Sequence, residues 1–149
     1  MTATSNTRFA VAVHVLTYLA DVAGDHPVSS DELAASTNSN PVHVRRVLGP
    51  LREAGVVTAR SGSRGGWGLG RPAADIDLAA VWDVVHGAES VLALHDPNPA
   101  CPVGRGVVQV LADVDEQAAA AVRATLAART VADVVTEAAA RAGAAPVSR

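Results

Sequence analysis

Cysteine is nearly absent from this chain, and lysine is wholly absent. A single thiol, Cys101, cannot build an internal disulfide framework or a cysteine cluster for a metal. There is no secretory signal and no apolar run long enough to span a bilayer, so the expected setting is the reducing cytoplasm, with no membrane partner. Without lysine there is no Gly-Lys-Ser/Thr, and the one glycine-rich run does not open onto a helix, which argues against a nucleotide-phosphate loop. Internal repeats are missing too. The only compositional bias is the alanine richness of the last third.

What is present is unevenly distributed. The net charge of −3 looks wrong for a partner of nucleic acid until the chain is divided. Residues 1–72 hold seven arginines against five acids, whereas residues 73–149 hold five against ten. Basicity is concentrated in the first half, where a polyanion would have to bind. A chain of 149 residues suits one domain plus an appended element.

The first half carries the pattern of a helix-turn-helix. Ser29-Ser30-Asp31-Glu32 is a capping box, in which the Ser29 hydroxyl and the Glu32 carboxylate can satisfy each other's backbone amides. The helix it opens should end near Ser36. After the polar turn Thr37-Asn38-Ser39, Asn40 is a good N-cap and Pro41 suits the first helical position. On this second helix Val44, Val47, Leu48 and Leu51 recur at i, i+3, i+4 and i+7, a buried stripe. Val42 and Arg46 face the other way, flanked by His43 and Arg45. Arginine can read guanine edges or grip phosphate in a major groove, and Val42 can meet a thymine methyl. Pro50, inside the helix, removes a hydrogen bond to the Arg46 carbonyl, so a kink or narrowing is expected there.

The next segment strengthens this reading over that of a merely solvated amphipathic helix. Val56 to Arg60 has strand character, Ser61 to Gly66 is a turn rich in glycine, and Trp67 to Gly70 returns as a second strand. Arg60 and Arg64 lie near the tip of this hairpin and Arg71 at its base, suited to phosphate or the minor groove. Before the motif, a helix from about Ser5 to Ala23 should turn Phe9, Val13, Leu16 and Ala20 to the core, with His14 as a satisfied structural histidine. After it, Asp77 to His86 reads as a short helix with Leu78, Val81, Trp82 and Val85 inward, stopped by Gly87.

Taken together, Arg8-Phe9-Ala10-Val11, the helix-turn-helix, Glu53-Ala54-Gly55-Val56-Val57, the Gly65-Gly66-Trp67 wing and Asn98-Pro99-Ala100-Cys101-Pro102-Val103-Gly104 resemble the Rrf2 family of bacterial winged-helix transcriptional regulators. The resemblance covers nearly the whole chain and adds Arg8 to the expected DNA-contact set of Asn40, Val42, His43, Arg45, Arg46, Arg60 and Arg64. It implies a homodimer on a pseudo-palindromic duplex operator whose affinity changes with a redox or small-molecule signal. Members that hold an iron-sulfur cluster use three grouped cysteines; this chain has Cys101 alone and looks like the single-cysteine branch, so no cofactor is expected.

Cys101 is the residue with most chemistry of its own. Pro102 fits a first helical position, which puts Cys101 at the N-cap with Arg105 one turn on, an arrangement that favours thiolate and oxidation. An inert buried cysteine is the plainer reading. A metal site from Cys101, His95 and His86 has no recognised ligand spacing. Beyond it, Val107, Val110, Leu111, Val114, Ala118, Ala121, Val122 and Thr125 form a stripe too long for so small a domain to bury, and it should pair with a second copy. Whether Asp113 to Glu116 interrupts this helix is open. Thr130 to Asp133 then caps a last helix ending near Gly143.

The expected organisation is therefore a mainly α chain with a small β-hairpin wing. Residues 1–87 form the winged helix-turn-helix, 88–102 a loop with Cys101, 103–143 a helical dimerisation region and 144–149 a disordered tail. Two other functions compete with this one. A DNA alkyltransferase-like enzyme would use Cys101 as acceptor, but it needs a histidine after the cysteine, where this chain has Pro102. A winged-helix protein-interaction module is disfavoured by the outward Arg45 and Arg46, because interface cores are depleted in charge. The expectation is a non-enzymatic DNA-binding regulator, a repressor.

Overall fold

The computed structural model describes residues 4–22 and 26–143. Six helices and one hairpin follow in the order α1 (Thr4–Asp21), α2 (Ser30–Ser36), α3 (Pro41–Glu53), β1 (Val57–Arg60), β2 (Gly66–Leu69), α4 (Leu78–His86), α5 (Pro102–Ala127) and α6 (Val131–Gly143), with a 3-10 turn at Ala73–Asp75. The expected end of the first helix at Ala23 and the expected disordered tail at 144–149 lie outside the described residues.

Helix α1 buries Ala12, Val15, Leu16 and Leu19, a stripe rotated from the expected one. Phe9, Val13 and Ala20 flank that stripe and pack against the core while half-buried. The reason is compositional: α1 is apolar on most sides, so its periodicity does not single out one face, and its packing against α3, α4 and α6 decides. Helix α3 buries Val44, Val47, Leu48 and Leu51 as expected. Pro50 lies inside this helix, which runs on to Glu53, and its ring is exposed to solvent. Ile76, Leu78, Val81 and Val85 complete the core from the other side, each side chain worth about 1.5–3 kcal/mol of burial.

Strands β1 and β2 pair antiparallel, from Val57 with Leu69 to Arg60 with Gly66. Val28 adds a short bridge to Trp67 on the other edge of β2. A Cβ on Gly66 would lie 2.8 Å from the Val28 carbonyl oxygen, and one on Gly65 would overlap the Arg60 carbonyl, so the hairpin closes only with glycine at both positions.

Helix α4 is capped by Asp77, whose Oδ1 accepts from the Ala80 amide at 2.8 Å, and it ends at Gly87. Trp82 is half-buried and meets Phe9 edge-on at 5.2 Å between centroids. Helix α5 is uninterrupted through Asp113 to Glu116 and about 39 Å long. Helix α6 opens with a reciprocal cap between Thr130 and Asp133, folds back on α1 and sends Val131 into the core of the amino-terminal domain.

Candidate nucleic-acid interface

The Ser29 hydroxyl accepts from the Glu32 amide at 3.1 Å, so half of the expected capping box forms. The other half does not. The Glu32 carboxylate instead accepts from the Tyr18 hydroxyl at 2.7 Å and contacts His26 Nε2 at 3.0 Å, which ties α2 to α1. The Tyr18 bond, then the His26 contact, hold Glu32 below the usual carboxylate range, and the same bond raises Tyr18. His14 Nε2 lies 2.9 Å from Ser36 Oγ at the other end of α2; His14 is satisfied, although exposed rather than buried.

The turn between α2 and α3 passes through Asn38 at φ 49°, a left-handed conformation that asparagine tolerates better than most residues. Asn40 then caps α3, its Oδ1 accepting from the His43 amide at 2.9 Å. This fixes where the helix begins. Val42 is 50% exposed, Arg45 and Arg46 are fully outward, and His43 is half-buried at the margin. The wing is fastened beside this face by the Trp67 indole, which donates to Ser30 Oγ at 3.0 Å. The 37 residues between Ser30 and Trp67 put this bond beyond any local spacing rule.

Arg45, Arg46, Arg52, Arg60, Arg64 and Arg71 are all exposed, and none pairs with another described residue. Arg52 extends the expected set, and Arg71 stands exposed at the base of the hairpin. Arg8 is placed differently. Its guanidinium reaches Glu89 at 2.9 Å on the segment after α4.

Cys101 is the N-cap of α5 as expected, with Sγ accepting from the Gly104 amide at 3.4 Å, and it is partly exposed. Arg105 turns elsewhere, donating to the Pro99 carbonyl at 2.7 Å. Pro97 packs on Gly104, where a Cβ would come within 3.0 Å of it.

The single stripe expected on α5 separates into two faces. Val103, Val107, Val110 and Val114 are exposed at the 4-3-4 spacing of a coiled-coil seam. Leu111, Ala118 and Val122 are half-buried, about 100° round the helix at one residue's advance, on the side facing α4. On that side Arg123 Nε donates to Asp83 at 3.0 Å and Asp115 accepts from the Leu92 amide. Thr125 is exposed, with its hydroxyl on the Ala121 carbonyl.

A family profile described as an iron-dependent transcriptional regulator, Rrf2, matches residues 5–137. The residues present do not fit an iron-sulfur cluster, since there is one cysteine and, among the described residues, no group of three or more His, Cys, Asp or Glu placed to hold a metal. YwnA of Bacillus subtilis (strain 168), named as an HTH-type transcriptional regulator, is 37% identical over 131 residues, 87% of this chain and 96% of YwnA. The structure of CymR, the global cysteine regulator of B. subtilis, aligns with a TM-score of 0.64 at 25% identity, covering 88% of this chain and 95% of that one. A regulator structure from Lactobacillus plantarum aligns with a TM-score of 0.73 at 30% identity, covering 87% and 88%. The winged helix, the free arginines on it and these likenesses agree: the chain belongs to the Rrf2 family of transcriptional regulators.

Proposed function

We propose that this protein is a cytoplasmic repressor that binds a pseudo-palindromic duplex operator as a homodimer. Helix α3 enters the major groove with Arg45 and Arg46 on base edges or phosphate, Val42 against a thymine methyl, and Asn40 and His43 at the helix start. Arg60 and Arg64 of the wing hold the flanking backbone. The observation that carries this reading is the set of six outward, unpaired arginines on α3, the wing and their flanks. Selection of bound fragments from a genomic library, followed by affinity measurement on selected and random duplexes at moderate salt, tests it. A strong preference for a two-fold sequence is expected; equal affinity would end the reading.

The seam Val103-Val107-Val110-Val114 supports pairing of α5 with its copy, because so much aligned valine is costly to leave in water. Cys101 serves as the sensor in this proposal. Its partial exposure and its place at the start of the long helix allow oxidation to a sulfenic acid or a mixed disulfide to shift the dimer. Cys101→Ser is expected to keep basal operator affinity and lose the response to peroxide. An oxidant response that survives this substitution would move the sensor elsewhere.

A further inference from the structure

A groove away from the DNA-facing surface lies between α1 and α6. It encloses about 290 Å³ and is lined by His14, Tyr18 and Asp21 from α1 and by Val135, Ala139 and Ala142 from α6. Small residues on α6 leave it open, and its walls are mostly apolar. Its polar lining is His14, Thr17, Tyr18 and Asp21, of which Asp21 is the one acid. Asp21 is exposed at the last residue of α1 and pairs with no other described residue. The last turn of α1 carries no basic residue, so the negative end of the helix dipole adds to the carboxylate. Arg141, the arginine on that turn of α6, is turned to Glu137. The Tyr18 ring offers a π face to a cation.

Two of the lining side chains lead directly to the helix-turn-helix. Tyr18 donates to Glu32 in the first turn of α2, and His14 meets Ser36 in its last turn. These are hydrogen bonds that set α2, and hence α3, against α1.

We propose that this groove is an effector site for a small organic amine with an apolar body, whose ammonium group sits at Asp21 and whose body lies between Tyr18 and the alanines of α6. Occupancy bears on the Tyr18–Glu32 and His14–Ser36 links and so lowers affinity for DNA. The regulatory half of this proposal rests on the operator reading above; the binding half does not.

Tyr18 is the only tyrosine in the chain, which makes its ring signals in a carbon-proton correlation spectrum an unambiguous reporter. The full chain is titrated with 2-phenylethylamine, and with 2-phenylethanol and 3-phenylpropanoate as neutral and anionic counterparts. The amine is expected to shift the Tyr18 signals saturably at millimolar concentration, with the alcohol about five-fold weaker and the acid weaker still. Asp21→Asn, a conservative surface change, is expected to remove the preference of amine over alcohol. Ala139→Phe fills the groove and is expected to abolish all three responses. Saturating amine is expected to weaken operator binding about five-fold in the native chain, each variant being compared with its own ligand-free affinity. Unmoved Tyr18 signals, or equal binding of the acid, would overturn the site. A saturable Tyr18 shift with operator affinity unchanged would overturn the coupling. If the protein binds no operator at all, the Tyr18 titration still decides the site on its own.

Discussion

The arginines of the two halves of this molecule live in different electrostatic worlds. On and around α3 and the wing, six guanidiniums stand in water with no protein partner among the described residues. The other five described arginines are all engaged: Arg8 with Glu89, Arg105 with the Pro99 carbonyl, Arg123 with Asp83, and Arg129 and Arg141 with Glu137. Apolar groups show the reverse contrast. The amino-terminal domain buries its stripes, whereas α5 has no fully buried residue and keeps four valines outward. Each half is thus complete in one respect and unfinished in the other. The first lacks anions, the second an apolar partner.

The largest effect should come from breaking the second half. Val107→Glu with Val110→Glu places carboxylates on the seam, and sedimentation should then show a monomer. Operator affinity should fall by about 100-fold or more, because two half-sites are no longer linked. A dimer that persists with both substitutions would place the interface elsewhere.

In the first half, Arg46→Ala should cost about 1–3 kcal/mol per half-site if the guanidinium reads a base, relaxing preference at one position. Arg123→Ala, which removes an engaged arginine of the same charge, should leave operator affinity unchanged and cost stability only within the range of about 0–1 kcal/mol seen for exposed pairs. Equal losses from both substitutions would erase the distinction between free and engaged arginines.

The binding half also carries a local defect. Pro50 leaves the Arg46 carbonyl without its helical donor, so Pro50→Ala should raise stability by about 2 kcal/mol, the helix-interior cost less the entropy that proline removes from the unfolded chain. Thermal melts with and without the substitution check this. A drop in stability would mean that the proline is needed where it stands.

The smallest effect concerns pH. Glu32 has its pKa lowered in the folded chain, chiefly by the Tyr18 hydroxyl and then by His26. Its contribution is therefore present above the ordinary carboxylate pKa and is lost as pH falls through the lower folded value. Glu32→Gln should flatten the acid limb of a melting-temperature profile without altering its neutral plateau shape. An unchanged acid limb would show that the tie between α1 and α2 carries no proton linkage.

Local chemistry was legible in the chain itself. Asn40, Asp77, Thr130 and Cys101 all cap the helices they were expected to cap, because capping depends on residues within one turn. The stripe on α3 was equally plain, since its polar residues leave only one face to bury. The half-formed box at Ser29 shows where this reach ends. Glu32 had a partner three residues away and took a phenol 14 residues away on another helix. The same holds for Arg8, which went to Glu89, for Arg105, which went to a carbonyl rather than the thiol, and for α5, whose one stripe became a packed side and an open one. Sequence determined the elements, their caps and the family, because those rest on short-range spacing and motif order. Tertiary structure alone decided which charged groups were consumed within the fold and which were left for a partner, because that depends on distances between residues far apart in the chain.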